Sequence, residues 1–415
     1  MNRIESVGRV VLAAIAFLAA GAYAQISPSS SPRETAAHFQ SKIDDAAAKG
    51  GGRVTVPAGA WTCGTLWLKS GVELHLAEGA VLKASGDLAD YNAEDAYGQN
   101  WGSKAESWRG HHLIIAHEVQ NASITGPGTI DGNGRAFFAK EPGGFGVVTW
   151  RRGSITTADR AAARRPGQLV VFIECRNVRV ENVNFVDSPC WTVFFHGCDR
   201  VRAKGLKIRS DLRHQNTDGV DIDSCSDVIV SGCDVETGDD CYTVRGSNGR
   251  LKAKNKVCEN VRFENCRGAC SACGVRVGVG NGTIRNVSFS NLVFTTAGRG
   301  IALQCSYSAK GQKGVDISNV RFEDVTVRDA SIGVLVTGGA GAPWAKLEDV
   351  SFSRLDVEAH QPIEITAAGK TVPERIVFDN FRYTVKDLPK MPARVNDIFI
   401  GKGVGRVTVN GKAVK

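Results

Sequence analysis

The sequence predicts an all-β protein that folds as a single parallel β-helix. Three observations support this fold: a phrase of about eleven residues recurs along the chain, short segments alternate apolar and polar residues, and helical periodicity is rare. Alternation with a period of two, bounded by turn-forming residues, is typical of β-strands. Repeats of this length stack into solenoids, so one domain accounts for the 415 residues.

The recurring phrase defines the predicted coils. It reads CRNVRVENVNF from Cys175, and its later copies begin at positions 198, 225, 258, 284, 317 and 347, spaced 23 to 33 residues apart. A third alternating segment follows each copy, as at 219–223 and 242–245. Three strands per repeat predict one coil of a parallel β-helix, with equivalent strands about 4.8 Å apart. An antiparallel sandwich would not explain the constant phase of the repeat.

Two segments at the start of the chain lie outside the repeat. Residues 1–24 combine a charged beginning, a short apolar run and a small-x-small site, which is the pattern of a cleaved secretory signal peptide. We therefore expect a secreted protein, extracellular or periplasmic, whose β-helix occupies residues 25–415. Residues 34–49 are predicted to form a helix that caps the open end of the solenoid. Its apolar face is predicted to contain Ala37, Ile43 and Ala47.

A third irregular segment, residues 100–167, interrupts the coils as a long insertion. It contains three tryptophans and a basic stretch at 151–165. Long insertions beside a groove commonly bind ligands. If the insertion closes one end of a substrate groove, cleavage at chain ends is favoured over internal cleavage, and the sequence leaves this choice open.

The composition limits the class of partner. The formal net charge is +8, with 42% hydrophobic and 23% charged residues, which excludes a disordered, collagen-like or coiled-coil chain. A mild positive excess suits an anionic polysaccharide, whereas the basic runs typical of nucleic-acid binding are missing. No apolar run after the signal segment reaches about 18 residues, so we expect no membrane association of the mature protein. We expect a monomer.

The twelve cysteines all follow residue 24. Six of them recur at two positions of the repeat: Cys175, Cys198, Cys225 and Cys258 at one, Cys233 and Cys266 at the other. Equivalent positions stack on successive coils, so we interpret these residues as buried thiols in inner ladders, with disulfides within the ladders left open. Cys270-Ser-Ala-Cys273 has no partner pair at zinc spacing, so we expect no structural metal site.

Three aspartates gather where two adjacent third segments begin. When these segments are aligned by phase, Asp218 falls beside Asp240, with Asp239 one residue earlier. Like charges this close raise at least one pKa, so one acid stays protonated while another is ionised. Such a pair suits acid–base cleavage of a glycosidic bond. Calcium binding or a solvated acidic turn is the alternative explanation of the cluster.

Two short motifs hold these aspartates, Asn216-Thr-Asp-Gly219 and Gly238-Asp-Asp-Cys241. They resemble two signature motifs of glycoside hydrolase family 28, the polygalacturonases and their relatives. Segments at 50–59, 68–76 and 187–191 are also similar to that family, so the likeness covers most of the mature chain. The resemblance implies a right-handed parallel β-helix of the pectin-lyase-like type and an O-glycosyl hydrolase that degrades cell-wall pectin.

The resemblance also implies a role for each residue. Asp239 would be the general acid that protonates the glycosidic oxygen, while Asp218 and Asp240 would activate the attacking water, with inversion at the anomeric carbon. Asn216 would orient the carboxylates or a sugar hydroxyl. This chemistry needs no metal or other cofactor. Cys241 and Cys270 match cysteines that are often disulfide-bonded in the family.

Two motifs of the family are altered here. Cys273 stands where a histidine is expected, and Ala302-Leu-Gln304 replaces an Arg-Ile-Lys that grips the substrate carboxylate. Loss of a bidentate guanidinium is not a conservative change. We therefore expect rhamnogalacturonan or a modified galacturonan as the substrate, and we interpret Cys273 as a small filler rather than a nucleophile.

Two arginines offer partial compensation for the altered motif. Arg276 and Arg245 lie in the outward columns that also contain Ala302 and Gln304, from which both guanidiniums would reach a uronate. A local ion pair with Asp221 or Asp223 is an equally good explanation for each arginine. The remaining candidate contacts to substrate are Cys273, Gln304 and His214, the last of which is otherwise a surface histidine.

The sequence thus predicts a secreted, inverting, family-28-type hydrolase of pectic polysaccharide. One alternative is a β-helix lyase that cleaves uronates by β-elimination with calcium and a basic residue. A second alternative is a non-catalytic carbohydrate-binding β-helix. The three aspartates fit hydrolysis better than either alternative.

Overall fold

The computed structural model describes residues 27–142, 149–151, 154–156, 158–305, 313–338, 345–386 and 397–415. The predicted signal peptide lies outside the described residues. Within them, 29 strands are hydrogen-bonded into one continuous wound sheet, in which nearly every strand pairs in parallel with its equivalent one coil away. This arrangement confirms the predicted all-β parallel β-helix.

Three strand stacks run along the solenoid axis. The first, here called the groove sheet, holds the predicted third segments: Leu66–Leu68, Ile114–His117, Val170–Ile173, Val193–His196, Val220–Asp223, Tyr242–Gly246, Cys273–Gly280, Ile363–Thr366 and Ile398–Ile400. The second sheet holds Gly52–Val56, Val72–Leu76, Ser123–Thr125, Arg176–Glu181, Asp199–Lys204, Ser226–Ser231, Pro373–Asp379 and Val407–Val409. The third holds Gly59–Cys63, Ala80–Ala84, Thr129–Asp131, Asn184–Val186, Lys207–Arg209, Asp234–Thr237 and Arg382–Val385.

Long strands bend from one sheet into the next in the later coils. They are Cys258–Cys270, Thr283–Gln304, Asp316–Thr337 and Leu347–Gln361. Asparagines with positive φ, Asn265 and Asn291, lie at two of the bends from the second sheet to the third, because this side chain tolerates the left-handed conformation. The chain ends in a short strand, Lys412–Ala413, that pairs antiparallel with Val407–Val409. The strand bends keep each coil in register with the next.

The N-terminal helix spans Pro32–Ala48 and confirms the predicted capping helix, two residues earlier than expected. Ser31 and Glu34 form a capping box that satisfies the first free N–H groups. The predicted apolar face is partly wrong: Ile43 is buried and Ala47 half-buried, but Ala37 is exposed. The residues that the helix buries are Thr35, Phe39 and Ile43. Phe39 packs edge-on against Trp61 in the first coil, so the helix closes the open core.

The solenoid core consists of ladders of identical side chains. All twelve cysteines are buried free thiols, and the six repeat cysteines line the interior as predicted. Five phenylalanine rings stack in later coils with centroids 4.6–5.0 Å apart: Phe263, Phe289, Phe322, Phe352 and Phe378. Stacking of equivalent residues follows from the strand spacing of parallel coils.

The insertion carries its own short strands. Phe138–Pro142 pairs antiparallel with Asp159–Ala161, and Thr149–Arg151 pairs with Ser154–Thr156. The backbone of Thr149–Arg151 lies against Asp316–Thr337, so the insertion reaches a later coil of the solenoid. Three one-turn helices, at Leu88–Asp90, Gly134–Phe137 and Asn248–Arg250, complete the elements. No helix in the described part of the chain is long and apolar enough to cross a membrane.

Candidate active site

The three predicted aspartates meet on the groove sheet. Asp218 precedes the strand Val220–Asp223, and Asp239 and Asp240 precede Tyr242–Gly246, which pairs with it in parallel register one coil later. Each aspartate offers one oxygen within 4.8 Å of an oxygen from the other two. All three side chains are buried, with Asp239 the most accessible at 9% exposure. The phase alignment of the repeat therefore located the cluster correctly.

Backbone contacts fix the turns that carry the cluster. The Thr217 hydroxyl donates to the carbonyl of His214 at 2.8 Å and accepts from the N–H of Gly238 at 2.9 Å, which ties the two coils together. A Cβ at Gly238 would lie 2.0 Å from the His214 carbonyl oxygen, so only glycine fits there. These contacts place Asp218 and Asp239 side by side.

Asp239 and Asp240 have different hydrogen-bond partners. The backbone N–H of Asn216 donates to Asp239 Oδ2 at 3.0 Å. Asp240 Oδ1 accepts from the backbone N–H of Cys273 at 2.8 Å, and its Oδ2 lies 2.6 Å from Arg276 Nε. The charge of Asp240 is thus compensated by a guanidinium, whereas Asp239 has only a neutral donor.

Burial and mutual repulsion raise the pKa values of this cluster. Burial, reinforced by the neighbouring charge of Asp240, raises the pKa of Asp239 to about 7. Burial and the charge of Asp239 raise the pKa of Asp218 well above its ordinary value. Burial also raises the pKa of Asp221, on the following strand, to about 7. The site therefore holds carboxyl groups that stay protonated near neutral pH.

The two candidate arginines each form an ion pair with an aspartate. Arg245 Nε lies 3.2 Å from Asp223 Oδ2, and its guanidinium carbon lies 4.3 Å from the centroid of the Trp191 ring. Arg276 pairs with Asp240 rather than with the expected Asp221. Each arginine is therefore engaged by a carboxylate of the protein. Arg276 pairs with Asp240 of the aspartate cluster, and Arg245 pairs with Asp223 on the adjacent strand.

Two of the altered motif residues belong to a buried apolar cluster beside the aspartates. Cys273, Ala302 and Leu335 form a small buried cluster, against which Ile332 packs. Arg276 pairs in register with Ala302, as the phase alignment predicts. Burial raises the pKa of the Cys273 thiol to about 12, which agrees with an inert filler.

Gln304 lies farther along the groove sheet. It pairs with Gly278 on one coil and with Thr337 on the next. A register shift between Val244 and Gly246 separates Arg245 from the Gly278 position. The predicted outward column of Gln304 and Arg245 is consequently interrupted by this irregularity.

His214 does not lie on the surface. It is 3% exposed, stacks on Phe138 of the insertion at 4.2 Å between centroids, and lies 3.5 Å from Asp159 Oδ2. Burial lowers its pKa despite the neighbouring carboxylates. The histidine therefore attaches the insertion to the turn of Asn216.

Cys241 and Cys270 adjoin each other beneath the site. Both are free thiols, and the contact between them together with burial raises the pKa of Cys270 well above its ordinary value. The structure thus has no disulfide at this position, although it places the two residues side by side. Their pairing stays a prediction.

One residue of the site was missed by sequence reasoning. Arg165 closes the basic stretch of the insertion, is fully buried, and donates from Nη2 to Asn216 Oδ1 at 2.7 Å. The basic stretch was visible in the sequence, but it contains several arginines, and nothing in the pattern distinguished Arg165 from the others.

A wall of aromatic rings covers the groove sheet before the aspartates. Trp101, Trp108 and Trp191, here called the aromatic wall, have ring centroids 5.3–5.6 Å apart. They bury Phe194, whose strand position pairs with Asp221 on the next coil. These rings therefore pack over the groove sheet on the coil before the carboxylates.

Comparison with known proteins agrees with this geometry. The family model described as "Glycosyl hydrolases family 28" matches residues 51–260 and 245–354. The chain belongs to family 28 of the glycosyl hydrolases. This confirms the resemblance on which the sequence analysis relied.

Relatives of this family 28 protein include plant and bacterial polygalacturonases. A probable polygalacturonase of Vitis vinifera is 25% identical over 312 residues, which cover 73% of this chain and 58% of the relative. An endo-polygalacturonase of Pectobacterium carotovorum subsp. carotovorum is 22% identical, covering 77% of each chain. The crystal structure of a hyperthermoactive exopolygalacturonase from Thermotoga maritima matches with a TM-score of 0.68 at 20% identity, covering 91% of this chain and 88% of that one. The structural likeness establishes the common fold.

Proposed function

We propose that this family 28 protein is a hydrolase that cleaves glycosidic bonds in pectic polysaccharide. The observation that carries the proposal is the buried triad of Asp218, Asp239 and Asp240. One oxygen of each lies within 4.8 Å of the others, where two adjacent strands of the groove sheet begin. Acid–base cleavage of a glycosidic bond needs one protonated and one ionised carboxyl group in reach of the same bond.

Asp239 is the proposed general acid. Its pKa of about 7, raised by burial and by Asp240, keeps the proton available in mildly acidic and neutral solution. The proton passes to the glycosidic oxygen as the bond from that oxygen to the anomeric carbon breaks. The leaving sugar departs as a neutral alcohol, and Asp239 is left as a carboxylate.

Asp240 is the proposed base, and Asp218, whose pKa is raised well above its ordinary value, is proposed to help activate the attacking water by orienting it. The ion pair with Arg276 compensates the charge of Asp240, and the N–H of Cys273 holds its other oxygen. A water between these carboxyl groups attacks the anomeric carbon and gives its proton to the base. The bond to the water oxygen forms on the face opposite to the leaving group, which inverts the anomeric configuration.

The stereochemistry of the product tests the proposed mechanism, because inverting and retaining enzymes differ in the separation of their two carboxyl groups. Inverting enzymes commonly hold their two carboxyl groups about 6.5–9.5 Å apart, and retaining enzymes about 5–5.5 Å apart. The oxygens of this triad lie within 4.8 Å of one another, so inversion rests on the family resemblance rather than on the distance. Proton NMR of the first-formed anomer distinguishes the two outcomes.

The substrate is proposed to be a pectic chain with a neutral or esterified sugar beside the cleaved bond. The buried cluster of Cys273, Ala302 and Leu335 is apolar, and Arg276 beside it is engaged by Asp240. A free uronate beside this cluster would lose hydration, and only Arg299, in register with Cys273 and with an Nε that has no hydrogen-bond partner among the described residues, would offset that loss. A methyl ester or a deoxy sugar such as rhamnose carries no such cost.

We further infer that cleavage occurs at chain ends. The aromatic wall packs over the groove sheet on the coil before the triad, and Arg245 lies over Trp191 at its inner edge. We infer that this wall blocks a long polymer from continuing along the sheet. The similar Thermotoga maritima protein is an exopolygalacturonase, which agrees with this mode of action.

Secretion and a monomeric state are proposals that follow from the sequence. The predicted signal peptide supports export, and the pectic polysaccharides of cell walls are found outside the cell that degrades them. Sedimentation of the mature chain and peptide sequencing of exported material test these two points.

The decisive experiment is an assay of the purified mature protein, run in parallel with EDTA and with added calcium. Polygalacturonate, its methyl ester, rhamnogalacturonan and a neutral glucan are the substrates, and both reducing ends and the ultraviolet absorbance of unsaturated uronates are measured. New reducing ends without unsaturation support hydrolysis, and short products from the start support cleavage at chain ends. Unsaturated products that require calcium would instead support the lyase, for which the triad offers a cation site. Binding without products would support the non-catalytic alternative.

A further inference from the structure

Arg165 is a buried cation at the boundary between the insertion and the coils. Its side chain is fully buried. Nη1 donates to the carbonyl of Pro189, and Nη2 donates to the carbonyl of Glu106 at 3.0 Å and to Asn216 Oδ1 at 2.7 Å. The ring of Phe138 lies 5.2 Å from its guanidinium carbon. Every hydrogen bond of this charged group thus goes to a neutral acceptor.

Burial of a guanidinium with this set of contacts destabilises the fold. Among the described residues, none places a carboxylate oxygen within ion-pair distance of Arg165, and its Nε is buried without a hydrogen-bond partner. Uncompensated burial of a charge costs several kcal/mol in real proteins. A neutral residue of similar length would hold the insertion in place at less cost, so the charge itself requires an explanation.

Two carboxylates attract the charge of Arg165 without pairing with it, Glu106 in the insertion and Asp239 of the proposed active site, and only the second is also joined to it through a shared residue. Asn216 receives the Nη2 hydrogen bond at its side chain and donates its own backbone N–H to Asp239 Oδ2. Asn216 has a φ of +57°, a left-handed conformation that aims side chain and backbone in these two directions. Arg165 and Asp239 are therefore joined through one residue, and their charges attract each other across it.

We propose that Arg165 is a positioning residue for the general acid. It fixes Asn216 so that the backbone N–H stays on Asp239, and its positive charge stabilises the carboxylate that Asp239 becomes when its proton passes to the glycosidic oxygen. A fixed charge directed at a group that becomes ionised during the reaction lowers the barrier without reorganisation. This inference rests on the proposed function.

Other charged groups also face Asp239. They are the carboxyl groups of Asp218, Asp240 and Asp221 and the guanidinium of Arg276. Arg276 forms an ion pair with Asp240, whereas Arg165 pairs with no carboxylate, so its field acts on the cluster as a whole. Removal of Arg165 is expected to raise the pKa of the acid and to leave the ion pair of Arg276 in place.

The test compares Arg165→Lys, which keeps the charge, with Arg165→Met, which removes it. The substrate is whichever pectic polymer the wild type hydrolyses. We expect both variants to lower kcat by about 10- to 100-fold with little change in KM, because the acid is misplaced rather than the substrate. Only Arg165→Met is expected to move the alkaline limb of the kcat profile to higher pH, since it alone removes the cation.

Two controls keep the result interpretable. Arg164→Ala changes the neighbouring residue, whose exposed side chain pairs with Glu94 and lies outside the site, and it is expected to leave kcat and the pH profile unchanged. Asn216→Gly keeps the left-handed backbone and the N–H to Asp239 but removes the acceptor of Arg165. If Arg165 acts through Asn216, combining Asn216→Gly with Arg165→Lys costs less than the product of the two single effects.

The outcomes distinguish failure of the role proposed for Arg165 from failure of the proposed function. Thermal denaturation shows whether the Arg165 variants fold. If they do not, the test relies on kcat and its pH profile measured for Asn216→Gly. Unchanged kcat and an unmoved alkaline limb in folded Arg165→Met would overturn the role of Arg165. If Asp239→Asn itself retains activity, the proposed function fails instead.

Discussion

Arg276 and Asp240 form a buried ion pair, with Nε of the arginine 2.6 Å from Oδ2 of the aspartate. The two residues belong to successive coils, and the same aspartate accepts the N–H of Cys273 from the arginine's strand. An arginine that the sequence suggested as a contact to substrate is therefore bound to the proposed base. Its loss should affect the chemistry of the site more than the affinity for substrate.

Replacing Arg276 with methionine is expected to reduce kcat by about 100-fold, because a buried carboxylate without its cation favours the protonated form, which does not accept a proton from water. The acidic limb of the kcat profile should move to higher pH, while KM changes little. Steady-state kinetics over a pH series measure both effects. Arg267→Met is the control, since this exposed arginine pairs with Asp234 away from the site. A rise in KM for acidic oligosaccharides at constant kcat would show that Arg276 instead grips the substrate.

Asp239→Asn is expected to abolish turnover by a factor of about 1,000 or more, since the amide supplies no proton to the leaving oxygen. Affinity for the polymer should persist, as the side chain keeps its size and its contact with Asn216. Titration calorimetry with the substrate polymer and reducing-end assays measure the two quantities. Asp234→Asn, in an exposed ion-pair cluster, should retain full activity. Loss of binding together with turnover would point to a structural role for Asp239.

The activity should fall as the pH rises through about 7. Burial and the charge of Asp240 raise the pKa of Asp239 to about 7, and only the protonated acid serves the leaving group. The measurement is kcat against pH in buffers of constant ionic strength. An alkaline limb that stays flat beyond pH 9 would assign the proton donor to another group.

The carboxyl cluster should also make stability depend on pH. The folded-state pKa of Asp239 exceeds the ordinary value of 3.8, so its contribution to stability is complete below about pH 4 and is lost as pH rises through about 7. Asp239→Asn removes this penalty and should stabilise the fold at pH 8 by up to about 4 kcal/mol, given about 1.4 kcal/mol for each of about three pKa units. Urea denaturation at pH 4 and at pH 8 checks the sign. An equal effect at both pH values would contradict the linkage.

Cys273→Ser should retain most of the activity. Burial raises the pKa of this thiol to about 12, so it is not ionised at any working pH, and the backbone N–H that holds Asp240 is kept in the variant. Iodoacetamide should leave the native enzyme active for the same reason. Inactivation by the reagent, absent in Cys273→Ser, would reveal a reactive thiol.

The sequence predicted the coils and the triad because both depend on the repeat. Alternation marks each strand, and alignment by phase reproduces the pairing of Val220 with Tyr242 and of Arg276 with Ala302. The register shift after Val244 breaks this rule, so the column of Arg245 and Gln304 was only partly correct. The phase of the repeat assigns a residue to a column of equivalent positions. It does not say which neighbouring carboxylate a long arginine side chain will contact, as the pairing of Arg276 with Asp240 shows.

Features outside the repeat were less accessible to prediction. Arg165 and the stacking of Phe138 on His214 depend on the path of the insertion, for which no second copy gives a register. The helix face was misjudged at Ala37 because this residue lies six positions before Ile43 and therefore on a different face, whereas Phe39 lies four positions before it. A large aromatic residue, Phe39, then takes the buried position.

The row of five phenylalanines has a consequence for the way this protein can change in length. Successive rings of this row stack on one another at nearly constant spacing. Removing or duplicating one whole turn of the chain between Phe289 and Phe352 would bring equivalent rings back into contact. The half of the molecule beyond the triad is therefore extensible in whole turns, while the half before it, closed by tryptophans, is not.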